Sequence, residues 1–273
     1  MKNLLIHTRQ GEFNLLGVKT ETECWIDHFS EPKNRNSKKI FIQLDPNEYL
    51  NLNNLIIQKQ NEYDFIFTFE PDLLKNCNNS ILFEYGTSWV NPSNYNFPKK
   101  IFSISFVCNS KYHNPGHILR HEINDKQDLI TIPKIFFISS MNPDKNDKFY
   151  IQKDPTNNYN NPTLGVDKYP LFESMFSICI ENVKKNFYFS EKLIDCFLCK
   201  SIPIYYGCNN IKNYFNTDGM ILINDFDDFL LKVNKLDESF YNSKKEVIDE
   251  NYFKALKWVD YGKRIISKIN EVL

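Results

Sequence analysis

The sequence predicts an α/β chain of parallel sheets with helices on both faces. Three observations carry this: short apolar runs bounded by Asn, Asp, Pro and Lys clusters, a helical period set between such runs in the second half, and 273 residues, enough for two cores. Two domains facing a cleft are expected.

In the first part the candidate strands are Leu4–His7, Lys39–Leu44, Asp64–Phe67 and Ile81–Phe83, with short helices expected over Glu21–His28 and Tyr49–Ile57. Ser88–Lys100, "SWVNPSNYNFPKK", has two prolines and several turn formers and reads as a link between domains. Beyond it, Ile101–Val107 is strand-like, Gly116–Ile123 is helical after the turn "HNPG", and Lys134–Ser139 and Met175–Ile180 are further strands. Ser139–Lys168 shows no clear period and is expected to be functional or mobile. Leu193, Cys196, Phe197 and Lys200 fall at i, i+3, i+4 and i+7, so a helix follows a Ser190 cap, and Ile202–Tyr206 is a buried strand. Met220–Ile223 is the next strand and Asp227–Leu236 the next helix, before a helical tail. The expected domains are 1–97 and 98–250, with the tail at 251–273.

Bulk properties narrow the function. Hydrophobic residues make up 42% and charged residues 25%, and no apolar run approaches the ~20 residues of a membrane-spanning helix. Leu4–Ile6 is too short for the ~7–15-residue core of a signal peptide. Seven cysteines without a disulfide spacing fit a reducing cytoplasm. A net charge of −1 argues against nucleic acid as partner, so anion binding falls to local basic residues. Peripheral membrane association is left open.

In an open parallel sheet ligands collect beyond the carboxyl ends of the strands, where helix N-termini present free N–H groups. Glu181 and Asn182 stand at such an end, and Glu191 and Lys192 open the following helix. A lysine in a first turn opposes the helix dipole, and a bound phosphate would relieve that conflict. Glu181 and Glu191 suit sugar or ribose hydroxyls, and a ligand with both phosphates and hydroxyls is a nucleotide sugar. The tripeptide Ser190–Lys192 alone also reads as a capped surface helix with solvated charges. Cys196, Cys199 and Cys208 read as small apolar residues, and His113, His117 and His121 as no metal site.

Tyr169–Asp225 resembles the signature region of the alpha-1,3-fucosyltransferases. Ile180-Glu181-Asn182, Tyr188-Phe189-Ser190-Glu191-Lys192 and Ile202-Pro203-Ile204-Tyr205-Tyr206-Gly207 stand where that family has Phe-Glu-Asn, Tyr-Val-Thr-Glu-Lys and an apolar strand ending in Gly. The resemblance implies a GT-B arrangement of two Rossmann-like domains, with GDP-fucose bound in the second. It places Glu191 on sugar or ribose hydroxyls, Lys192 on the diphosphate, and Tyr188, Asn182, Glu181 and Ser190 around the donor. "PTLGVDK", Pro162–Lys168, resembles the loop before the signature strand and brings Lys168 to the donor side.

Ile104–Ile123 is similar to the family's strand and helix that supply a diphosphate arginine, a role that falls to Arg120 with His117. "IFIQLDPNEY", Ile40–Tyr49, is similar to the strand whose end carries the general base. Asp45 takes that place where the family has glutamate, with Glu48 as the substitute. Trp89 is placed to stack on an acceptor sugar.

The implied activity is inverting transfer of L-fucose from GDP-fucose, as donor substrate, to a hydroxyl of an acceptor glycan, with no cofactor and no metal. The same machinery with another nucleotide sugar, and a catalytically silent nucleotide-sugar or glycan-binding module, are the alternatives.

Overall fold

The computed structural model describes residues 1–140 and 153–273. Part of the segment expected to lack a period, 141–152, lies outside the described residues.

In chain order, β1 (Lys2–Thr8) and β2 (Gly11–Val18) form a hairpin, followed by β3 (Thr22–Ile26), β4 (Lys38–Ile42), α1 (Asn47–Leu50), α2 (Asn53–Lys59), β5 (Phe65–Thr68), α3 (Pro71–Asn76) and β6 (Ser80–Leu82). Then come β7 (Ile101–Cys108), α4 (Pro115–Asp125), β8 (Lys134–Ser139), β9 (Thr163–Leu164), β10 (Ser174–Ile180), α5 (Glu191–Leu198), β11 (Ile202–Tyr206) and β12 (Ile221–Leu222). The chain ends with α6 (Phe226–Val233), α7 (Glu238–Ser243), α8 (Lys245–Ala255) and α9 (Tyr261–Val272). Two compact units result: Met1–Gly86 with Asn186–Tyr188 and Asp260–Leu273, and Thr87–Lys185 with Phe189–Val259.

The first unit holds a six-stranded sheet in the order β2-β1-β3-β4-β5-β6, parallel except for the β1–β2 hairpin. Adjacent residues point to opposite faces, and both faces are covered, which is why its strands read as continuous apolar runs. Cys24, Ile40, Ile42 and Phe67 pack with Ile265 and Ile269 of α9, while Trp25, Phe41 and Ile66 pack with Ile56 and Leu73 from α2 and α3.

Two expected helices are corrected here. Glu21–His28 is not helical: Thr22–Ile26 is the strand between β1 and β4, with Trp25 buried and stacked on His7 at 4.8 Å between ring centroids. Asp27, at φ 48°, ends it. Tyr49–Ile57 is two helices rather than one, because Asn51 adopts the left-handed conformation at φ 53° and closes α1.

The second unit holds a fully parallel sheet in the order β12-β11-β10-β7-β8-β9. Read from β9, the strands run third, second, first, fourth, fifth, sixth within this unit, the Rossmann order, with the direction of winding reversing between β7 and β10. The core on one face joins Ile104, Phe106, Ile178, Ile180, Ile202 and Ile204; on the other, Cys179 and Tyr205 meet Leu193, Ile194 and Phe197 of α5. The helix expected through Lys200 stops at Leu198, since Lys200 turns left-handed at φ 58° and the N–H groups of Lys200 and Ser201 donate to the carbonyls of Phe197 and Cys196.

Candidate active site

The reversal between β7 and β10 brings two helix starts and one strand end together in the second unit. After β7 the chain turns through Asn114 into α4, with Pro115 at its first position, where a missing N–H costs nothing. After β10 come Glu181 and Asn182, and after β11 comes Gly207.

Contact between α4 and the β10 end is direct. The Gly116 N–H donates to the Asn182 carbonyl at 2.9 Å, and a Cβ at Gly116 would overlap the Glu181 carbonyl oxygen. Glycine is therefore required for the approach. Arg120, one turn further on and buried, donates through Nη2 to the Ile180 carbonyl and to Asn182 Oδ1 at 3.1 Å. The α4 helix, which follows β7, is thereby locked to the carboxyl end of the neighbouring strand β10.

Glu181 is fully buried, and its two oxygens meet Ser190: Oε1 accepts from the Ser190 N–H at 2.8 Å and Oε2 from the Ser190 hydroxyl at 2.7 Å. In this structure it fixes the start of α5. Burial raises its pKa and Glu191 adds to that, while Lys192 and Ser190 oppose.

Ser190 caps α5, its Oγ accepting from the Lys192 N–H at 3.4 Å. Lys192 Nζ lies 3.0 Å from Ser190 Oγ, 3.1 Å from Glu191 Oε1 and 3.7 Å from Glu181 Oε2. Burial pulls its pKa down, but Glu191 and Glu181 together outweigh it and the net shift is upward. So the cation that opposes the helix dipole already has two carboxylates beside it, and the conflict read in the sequence does not by itself call for a bound anion.

His117 makes the stronger demand. It is fully buried at the third position of α4, and its Nδ1 accepts from the Asn114 N–H at 3.3 Å, completing a capping box. A neutral imidazole that accepts at Nδ1 carries its proton at Nε2. That Nε2 has no hydrogen-bond partner among the described residues. Burial, then the charges of Arg120, His113, Lys111 and Lys192, hold the ring far below its ordinary pKa, so it stays neutral. A buried N–H donor among cations is a place for an anionic oxygen. Lys111 was not singled out by sequence reasoning; its place in the turn before the Asn-Pro-Gly helix start was the available signal.

The remaining predicted residues divide between the units. Lys168 donates to the Gly165 carbonyl at 3.1 Å, with its pKa lowered by burial against the pull of Glu191. Trp89 is 57% exposed and its N–H donates to Asp195 Oδ1 at 3.0 Å. Tyr188 belongs to the first unit and stacks on Phe69 at 5.0 Å. Asp45 and Glu48 are also in the first unit, Asp45 partly buried just before α1 and Glu48 exposed in its first turn. Among the described residues, no three His, Cys, Asp or Glu side chains gather as metal ligands, and no helix is long and apolar enough to cross a membrane.

No family model matches the chain. A 90-residue segment, 33% of the chain, is 28% identical to alpha-(1,3)-fucosyltransferase FucT of Helicobacter pylori, and the match spans only 19% of that protein. The solved structure of an alpha1,3-fucosyltransferase with GDP aligns over 93% of this chain and 79% of its own, at 16% identity and a TM-score of 0.48. TarM aligns over 92% of this chain and 53% of its own, at 13% identity and a TM-score of 0.54. With two parallel sheets, helices around them and a Rossmann strand order in the second unit, the chain has the fold of the GT-B glycosyltransferases, and its sequence resembles the alpha-1,3-fucosyltransferase family.

Proposed function

We propose that the chain is an inverting glycosyltransferase that transfers L-fucose from GDP-fucose to a hydroxyl of an acceptor glycan. The observation that carries this reading is the buried His117 Nε2–H, which has no partner among the described residues, at the start of α4 and among Arg120, Lys111 and Lys192. A diphosphate supplies the missing acceptor oxygen and the countercharge in one group. The sugar is read from the resemblance of the segment around Glu181, Ser190, Glu191 and Lys192.

In the reaction the acceptor oxygen attacks the anomeric carbon in line as the bond to the diphosphate breaks. Asp45 takes the acceptor proton. Lys192, His117 and Arg120 receive the charge that develops on the leaving GDP. Glu191 orients donor hydroxyls. Glu181 acts through Ser190, keeping the α5 start in register.

Thermal denaturation with GDP, UDP and CMP, followed by GDP release from GDP-fucose with glycan acceptors, tests the proposal. GDP at about 100 times its Kd is expected to stabilise the protein by about 2.7 kcal/mol, with UDP and CMP giving less. His117→Ala and Lys192→Ala are expected to lose most of that gain, and Lys192→Ala to lose turnover at least about 100-fold. Equal GDP binding by wild type and both variants would overturn the site; a preference for UDP would overturn the donor.

A further inference from the structure

The carboxyl edge of the first unit's sheet holds an acidic residue that neither the resemblance nor the motifs single out. Asp27 follows β3 directly and is 8% exposed. Its Oδ1 accepts from the Leu44 N–H at 3.0 Å and its Oδ2 from the Asp45 N–H at 3.0 Å. Its own N–H donates to the Ile42 carbonyl at 3.0 Å. Three hydrogen bonds thus tie the end of β3 to the neighbouring end of β4, and two of them hold the residues that lead into the proposed base. The left-handed backbone at Asp27, which aspartate tolerates better than most residues, aims both carboxylate oxygens at that turn.

We propose that Asp27 is a positioning residue for Asp45: it fixes the backbone of the base through both carboxylate oxygens. The inference rests on the reading of Asp45 as the acceptor base. Charged and titratable groups facing Asp27 are Asp45 from the β4 end, Arg9 from the β1–β2 hairpin and Tyr261 from α9. Arg9 spends its Nε–H on the Asp27 carbonyl, at 3.2 Å. Burial first, then Asp45, hold the Asp27 carboxyl well above the ordinary carboxylate range, against the two N–H groups and Arg9.

Two carboxyl groups so coupled release their protons in two steps, the second at raised pH. As the acceptor oxygen bonds to the anomeric carbon, its proton passes to Asp45; the bond from the anomeric carbon to the diphosphate breaks, and its electron pair leaves with GDP.

Carboxyl-carbon NMR titration of the full chain tests the pairing, alongside kcat and the acceptor KM. In wild type, Asp27 is expected to show the raised upper step. Asp27→Asn replaces one of the two acceptor oxygens by a donor, so it is expected to lower kcat by roughly 10-fold or more with the acceptor KM little changed, and Asp27→Glu to recover part of it. A kcat unchanged in Asp27→Asn overturns the inference. Should Asp27→Asn fail to fold, Asp45→Asn gives the reciprocal test: the Asp27 titration falls if the pair is coupled, and an unmoved one overturns the inference. Wild-type turnover by Asp45→Asn, with the coupling present in the titrations, overturns the base assignment alone and leaves the pairing supported.

Discussion

Asp195 lies one helical turn beyond Glu191 and is buried in α5. Its Oδ1 alone accepts from the Ser88 hydroxyl at 2.8 Å, the Trp89 N–H at 3.0 Å and the Val90 N–H at 3.4 Å. Burial pushes its carboxyl up to about 7 and Glu191 adds to that, while the Ser88, Trp89 and Val90 donors oppose. A carboxyl raised in the folded state binds its proton more tightly there than in the unfolded chain. Stability is therefore expected to fall between the ordinary aspartate pKa and about pH 7, at roughly 1.4 kcal/mol per pH unit at most. Asp195→Asn keeps the Oδ1 acceptor and removes the charge, so urea denaturation across that window should show a flattened slope; an undiminished slope would place the titration elsewhere. Nothing in the sequence announces this residue, because its partner Ser88 is 107 positions away. Ser190, Glu191 and Lys192 were legible for the opposite reason: a cap and a first turn are local patterns. Glu181 was legible by position only, since its two bonds to Ser190 depend on how β10 and α5 meet.

The same contrast holds among elements. Strands buried on both faces gave continuous apolar runs, so β4, β5, β7, β10 and β11 could be read directly. β3 could not, because Thr22–Ile26 mixes Glu23 with Cys24 and Trp25, and what makes it a strand is its place between β1 and β4. Buried Glu23 is satisfied by His7, at 2.9 Å, and by the N–H groups of Lys33 and Asn34, partners that no local window contains. For α5 the cap was legible but its depth was not. Ser190 both accepts from the Lys192 N–H and donates to buried Glu181, so Ser190→Ala removes a cap, at about 1 kcal/mol, and leaves a buried carboxylate oxygen short of a donor, at a further ~1–3 kcal/mol. Chemical denaturation should show a loss near the sum of the two, with Ser190→Thr recovering most of it. A loss below about 0.5 kcal/mol would mean that neither bond holds α5 in place.

At the scale of the whole chain, sequence order and spatial membership part company at the C-terminus. The sequence suggests one helical tail over 251–273, yet α8 ends in the second unit while α9 is part of the first. Helical spacing marks Ile265 and Ile269 as one apolar stripe, but it cannot say which sheet the stripe covers. In the structure these two residues are buried with Leu4, Ile6, Ile40 and Ile42, and Arg264 donates to the carbonyls of Glu84, Tyr85 and Gly86 just beyond β6. The first core is thus completed by residues more than two hundred positions from its first strand. Ile269→Ala is expected to destabilise that core by about 2–5 kcal/mol, the range for truncating a buried isoleucine. Because the two units have separate cores, the loss should be local. Hydrogen exchange should show faster opening of the amides in β1, β3 and β4, with those of β7, β10 and β11 retaining their protection, and GDP should still protect the starts of α4 and α5. Equal loss of protection in both sheets would show instead that α9 stabilises a single cooperative unit.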